Sequence, residues 1–158
     1  MKGGEPMCSR MRINLVLLLS IVCLLMSACN ENTAPVTPYL RAIDSIHPMD
    51  SAFHNALASG VTGVMAGPGS SNPVGGQFAF IKTSGRCIDD MLVLAPAAIK
   101  IAFGENPMTC FGMNGNAPST RMGIAGIIRE ELFNAKQYLE STPSDSTEKN
   151  FRLEAYRE

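Results

Sequence analysis

The stretch Val61-Thr62-Gly63-Val64-Met65-Ala66-Gly67-Pro68-Gly69-Ser70-Ser71-Asn72-Pro73-Val74-Gly75-Gly76 decides the fold. Its first six residues form a short apolar run rich in β-branched side chains, which predicts a buried strand. The ten that follow carry four glycines and two prolines, which predicts a loop. Just upstream, residues 48–59 read as a helix. Met49, Phe53 and Leu57 recur every four residues and so share one face, and Gly60 supplies a stop. A helix, a buried strand and a glycine-rich loop in this order fit an α/β unit with a parallel strand.

Working outward, residues 77–83, 91–95 and 98–103 are further strand candidates, and residues 108–118, rich in Asn and Gly, read as a loop. Residues 120–140 are the strongest helix. Ser119 or Thr120 can cap it, and Ile124, Ile128, Leu132, Ala135 and Leu139 make one apolar stripe. Residues 142–150 form a polar linker, and a last short helix begins at Phe151. Between residues 30 and 48 three prolines punctuate the chain, and each disfavours helix at the residue before it.

Composition narrows the function classes. Hydrophobic residues make up 46% of the 158 and charged residues 17%, which suits a packed domain and not a disordered one. The formal net charge of -1 gives no basic footprint for nucleic acid. The five cysteines show no zinc-site spacing. Cys87 and Cys110, the two in the globular part, are expected as free thiols rather than as a disulfide.

Residues 1–29 form a separate segment. Lys2, Arg10 and Arg12 precede an apolar run over residues 15–28 that is shorter than the ~20 residues of a membrane-spanning helix. The segment resembles a signal peptide, and Leu25-Met26-Ser27-Ala28-Cys29 resembles a lipobox in which Cys29 would be lipidated and anchor the chain to a membrane. If it is a true signal, the protein is secreted or held at the cell envelope. If it is not native to the domain, the protein is cytoplasmic.

Several motifs invite a chemical reading. Residues 67–76 look like a phosphate cradle, but they lack the Gly-Lys-Ser/Thr ending of a P-loop. Ser70 and Asn72 are instead candidate polar contacts from this loop to a substrate, set against a purely structural turn. Asp89 and Asp90 read as solvated turn residues. His47 and His54, the only histidines, are seven apart and read as structural.

Residues 35–44 (Pro-Val-Thr-Pro-Tyr-Leu-Arg-Ala-Ile-Asp), Gly67-Pro68-Gly69-Ser70, Asn72-Pro73-Val74-Gly75-Gly76, Lys82, Asp89-Asp90-Met91, Lys100, Phe103-Gly104-Glu105-Asn106-Pro107 and Thr120-Arg121-Met122 stand in order along the chain. In this order and spacing they resemble the imidazolonepropionase-like bacterial branch of the metal-dependent amidohydrolases. The resemblance runs over residues 30–156. It implies an α/β fold, with residues 30–158 as a partial (β/α)8 barrel of the TIM type, about half of one. It also implies a hydrolase that cleaves C–N bonds other than peptide bonds in small molecules, through water activated by a divalent metal, usually zinc. Lys100 and Glu105 are the positions that this resemblance would put beside the metal in an intact relative.

The family's His-x-His pair is absent. It would stand where residues 15–28 lie, and two further histidines and an aspartate come from later strands. After residue 29 there remain 129 residues, against about 250 for a whole barrel. The expectation is an interior fragment that binds no zinc and is inactive alone. The alternative is a non-catalytic, secreted or lipid-anchored binding or assembly module, and an oligomer is a further expectation because a partial sheet exposes its edges.

Overall fold

A computed structural model describes residues 31–141 and 149–157. Cys29, and with it the signal-like segment, lies outside the described residues. Helix α1 (Ser51–Ala58) starts at Asp50, whose side chain accepts from the Ala52 amide at 2.8 Å. It ends before Gly60, which takes a left-handed φ of 85°. Phe53 and Ala56 are its buried residues, whereas Met49 and Leu57 are exposed. The buried face therefore runs at a spacing of three, not along the Met49-Phe53-Leu57 row.

The strands are β1 (Gly63–Ala66), β2 (Val74–Lys82) and β3 (Leu92–Ile101), in the order β1-β2-β3. Both pairings are antiparallel: Val64 lies opposite Ile81, and Phe78 opposite Ala98. This corrects the parallel unit expected around residues 61–66. The connection from Gly67 to Pro73 is too short for a crossover, which takes a dozen or more residues, so the chain folds back as a meander. Parallel contacts do occur as isolated bridges, Val36 to Val74 and Arg41 to Gln77, which lay residues 36–41 beside β2.

Two other expectations change. The separate strands read at 91–95 and 98–103 are one strand, β3, with Pro96 inside it. As a sheet edge, β3 tolerates a residue that cannot donate to a ladder. Helix α2 (Ile88–Met91) precedes β3, and the loop read at 108–118 is partly helix, because α3 (Glu105–Gly112) follows β3 and reaches into it. Pro107 stands in the first turn of α3, where its missing N–H costs nothing, and it is buried.

Helix α4 (Arg121–Glu140) is capped by Thr120, whose hydroxyl accepts from the Gly123 amide at 3.1 Å. Its buried residues are Ile124, Ile128, Glu131 and Ala135. Leu132 and Leu139 are exposed, so the inward stripe passes through a glutamate. Helix α5 (Phe151–Glu154) closes the described chain, capped by Asn150.

The core has two parts. Phe53, Ala66, Ala79, Ile81 and Met91 pack on one side, and Val36, Val74, Ile124 and Ile128 pack where α4 meets the start of β2. The fold is thus α/β, a three-stranded antiparallel sheet with helices. Cys87 and Cys110 are free thiols, with Cys87 exposed. Among the described residues no helix is long and apolar enough to cross a membrane.

Candidate functional site

A hollow of about 680 Å³ opens at the carboxyl end of β1. Ala66, Gly67 and Pro68 carry the strand end into it, and the polar groups come chiefly from the segment 41–50: Arg41, Asp44, His47 and Asp50. This volume falls in the range of small-molecule sites.

The sequence builds the hollow through close backbone approach. A Cβ on Gly76 would sit 2.3 Å from the Leu40 carbonyl oxygen, and one on Gly67 would sit 2.1 Å from the Phe78 ring. Only glycine fits at either place. Segment 36–41 can therefore lie against β2: the Gln77 amide donates to the Leu40 carbonyl at 2.7 Å, and the Thr37 amide to the Val74 carbonyl at 3.0 Å.

The polar groups of the hollow are already engaged locally. Arg41 donates to Asp44 through two nitrogens, at 3.0 and 2.8 Å. The Asp50 carboxylate caps α1. His47 is exposed, and its Nδ1 accepts from the Met49 amide at 3.1 Å. That bond puts the proton of the neutral ring on Nε2. Glu31 is also exposed, and the Thr33 side chain, with the Thr33 amide, holds its carboxyl below the usual carboxylate range.

The loop residues singled out from the sequence part company. Asn72 lines the hollow and is buried. Its side-chain nitrogen donates to the carbonyls of Glu31 at 2.6 Å and Ala34 at 2.7 Å, so its amide clamps the incoming chain. Ser70 is half-buried and receives a hydrogen bond from the side chain of Asn106 on α3. Lys100 is half-buried near the end of β3, against Gly75, and Glu105 is exposed in the first turn of α3. Neither Lys100 nor Glu105 lines the hollow. Asp89 and Asp90 are exposed in the first turn of α2, and His54 is exposed on α1.

Among the described residues, no three of His, Cys, Asp and Glu come together in a group able to hold an ion. Asp44 is held by Arg41, Asp50 by the start of α1, and His47 Nδ1 by Met49. The described residues do not fit a metal centre.

Sequence reading overlooked two features. The segment 41–50 has no periodicity, so nothing in it announced that its charged side chains would share a wall. Glu131 stands beside the apolar stripe of residues 120–140, and nothing in the periodicity singles it out. In the structure it is buried, bonded to Arg152 and Tyr156.

No protein-family model matches the chain. An amidohydrolase of Hapsidospora irregularis, tasK, is 31% identical over 119 residues, which are 68% of this chain and 12% of that protein. The crystal structure of an amidohydrolase from Thermotoga maritima MSB8 superposes with a TM-score of 0.76 at 42% identity, covering 81% of this chain and 35% of that one. The chain thus spans about an eighth of the first relative and about a third of the second.

Proposed function

The chain belongs to the amidohydrolase superfamily, and on that premise we propose that it forms the substrate-binding wall of a hydrolase acting on C–N bonds other than peptide bonds. The observation that carries this reading is the hollow at the carboxyl end of β1, in a fold superposing at a TM-score of 0.76 on an amidohydrolase. Barrel hydrolases set their sites on the loops that follow parallel strands; the antiparallel β1–β3 meander is not itself such a set, and a partial (β/α)8 barrel is proposed only as the larger architecture this unit belongs to.

In this reading Asn72 and Ser70 shape the wall. Asn72 fixes the segment entering at Glu31, and Ser70 ties the glycine-rich loop to α3. The substrates are small molecules, as the hollow's size suits. The superfamily works with metal-activated water. The donors described here do not fit a metal, so no step is built on one, and Lys100 and Glu105 are assigned to the metal side only in an intact relative. By itself the chain is therefore expected to release no amine or ammonia.

A chimera tests the proposal. Residues 31–157 replace the matching stretch of the Thermotoga amidohydrolase, and release of ammonia or amine is followed over amide, lactam and amidine probes. Retained hydrolysis is expected. A folded chimera that hydrolyses nothing its parent hydrolyses overturns the reading.

A further inference from the structure

A second hollow, of about 360 Å³, shares only Arg41 and Ala42 with the first. Its remaining lining is Ile43, Gln77, Phe78, Ala79, Leu92, Ala95 and Pro96. All of these but Gln77 are hydrocarbon. Arg41 brings a charge, but its guanidinium is bonded on two nitrogens to Asp44.

Gln77 is the anomaly. It is 6% exposed, yet its side-chain amide has no hydrogen-bond partner among the described residues, although it offers two donors and an acceptor. Its backbone is held from both sides, by the Leu40 carbonyl at 2.7 Å and by pairing with Ile99 on β3. The side chain is therefore presented from a fixed point. Leaving such an amide without a partner costs about 1–3 kcal/mol, which a bound molecule that pairs with it would recover.

We propose that this hollow binds a small neutral molecule with an apolar body and one carboxamide edge, whose N–H and C=O pair with the side-chain amide of Gln77. A primary amide offers a donor and an acceptor side by side, so a cis-amide edge satisfies both at once, while Ile43, Phe78, Leu92 and Pro96 receive the hydrocarbon. This binding is separate from the hydrolase reading, because Gln77 does not line the first hollow.

The test uses the full chain and 2-piperidone as probe, followed by ligand-observed NMR. Saturable binding in the range of about 1 mM is expected. N-methyl-2-piperidone, which lacks the N–H, should bind about tenfold more weakly, the worth of one hydrogen bond. Gln77→Leu should keep the fold and lose about the same factor. Ala95→Phe, which fills the hollow and leaves Gln77 in place, should abolish binding. Equal binding by Gln77→Leu, by Ala95→Phe or of the N-methyl probe overturns the proposal. So does wild-type protein that shows no saturation by about 10 mM. If Gln77→Leu unfolds, Ala95→Phe and the N-methyl probe decide alone.

Discussion

Asn72 and Glu131 are each 2% exposed, and each fastens a distant segment of chain, but one does it with a neutral amide and the other with a carboxylate. Asn72 gives its hydrogens to two backbone carbonyls some forty residues away, at Glu31 and Ala34. Glu131 accepts from Arg152 through both oxygens and from the Tyr156 hydroxyl at 3.3 Å, and so holds α5 against α4. A neutral clamp costs little to bury and gives about 1 kcal/mol per bond. A carboxylate is expensive to bury, so nearly all its stability resides in keeping its partner. The two fastenings should therefore fail differently.

The largest effect is expected on the charged side. Arg152→Ala leaves the Glu131 carboxylate buried without its cation and should cost about 3 kcal/mol in urea unfolding. We take the low end of the range for broken buried pairs because the Arg152 side chain is 45% exposed and already partly hydrated. Glu131→Met combined with Arg152→Ala should recover most of that loss, since the uncompensated charge is then gone. A loss under about 1 kcal/mol for Arg152→Ala would mean that Glu131 is solvated, and the contrast with Asn72 would break. Burial first, and then the Glu131 charge, pushes the Tyr156 phenol well above its usual range, so Tyr156 remains a donor to the carboxylate at every physiological pH.

The neutral side comes next. Asn72→Ala removes two donors and strands two carbonyls, and should cost about 2 kcal/mol. The loss should be the same at pH 5 and pH 8, because no group in the clamp titrates there. A pH-dependent loss would show that the Glu31 carboxyl takes part in the clamp and not only its backbone.

The same pair of residues shows how far the sequence could be read. Helix α4 was legible from its period and from Thr120, because both are local signals. The turn of its inward face onto Glu131 was not, because that depends on a cation 21 residues later that periodicity does not record. Asn72 was legible as a loop residue of interest, but the backbone carbonyls it meets were not. Gly75 and Gly76 read as loop, yet they stand in β2, where the Leu40 carbonyl leaves no room for a Cβ at Gly76 and Gly75 packs closely against Lys100. The antiparallel sheet was misread for a related reason: an apolar run of six residues looks alike in either sheet type until its partner is known. The family resemblance survived these errors because it rests on motif order, not on strand direction.

The smallest effect separates the two fastenings by acidity alone. The Tyr138 hydroxyl donates to Glu154 on α5 and is the main reason that its carboxyl lies below the usual range, with Arg157 adding to the same effect. The bond to Glu154 in turn raises the Tyr138 phenol. A lowered carboxyl stabilises the folded state above its unfolded value of about 4.3, and that contribution is lost as pH falls through the lowered folded value. A raised phenol stabilises below about 10 and is lost as pH climbs past its folded value. Amide exchange in residues 151–157 should therefore quicken beyond its intrinsic trend at both extremes. The Thr37 amide, held by the Val74 carbonyl near the Asn72 clamp, should follow only that trend. Tyr138→Phe weakens the alkaline branch to what the raised Tyr156 phenol still supplies, and it weakens the acid branch to what Arg157 and Lys149 still supply at Glu154. If Thr37 and residues 151–157 respond to acid alike, the neutral and charged fastenings are not independent, and the chain opens as one unit.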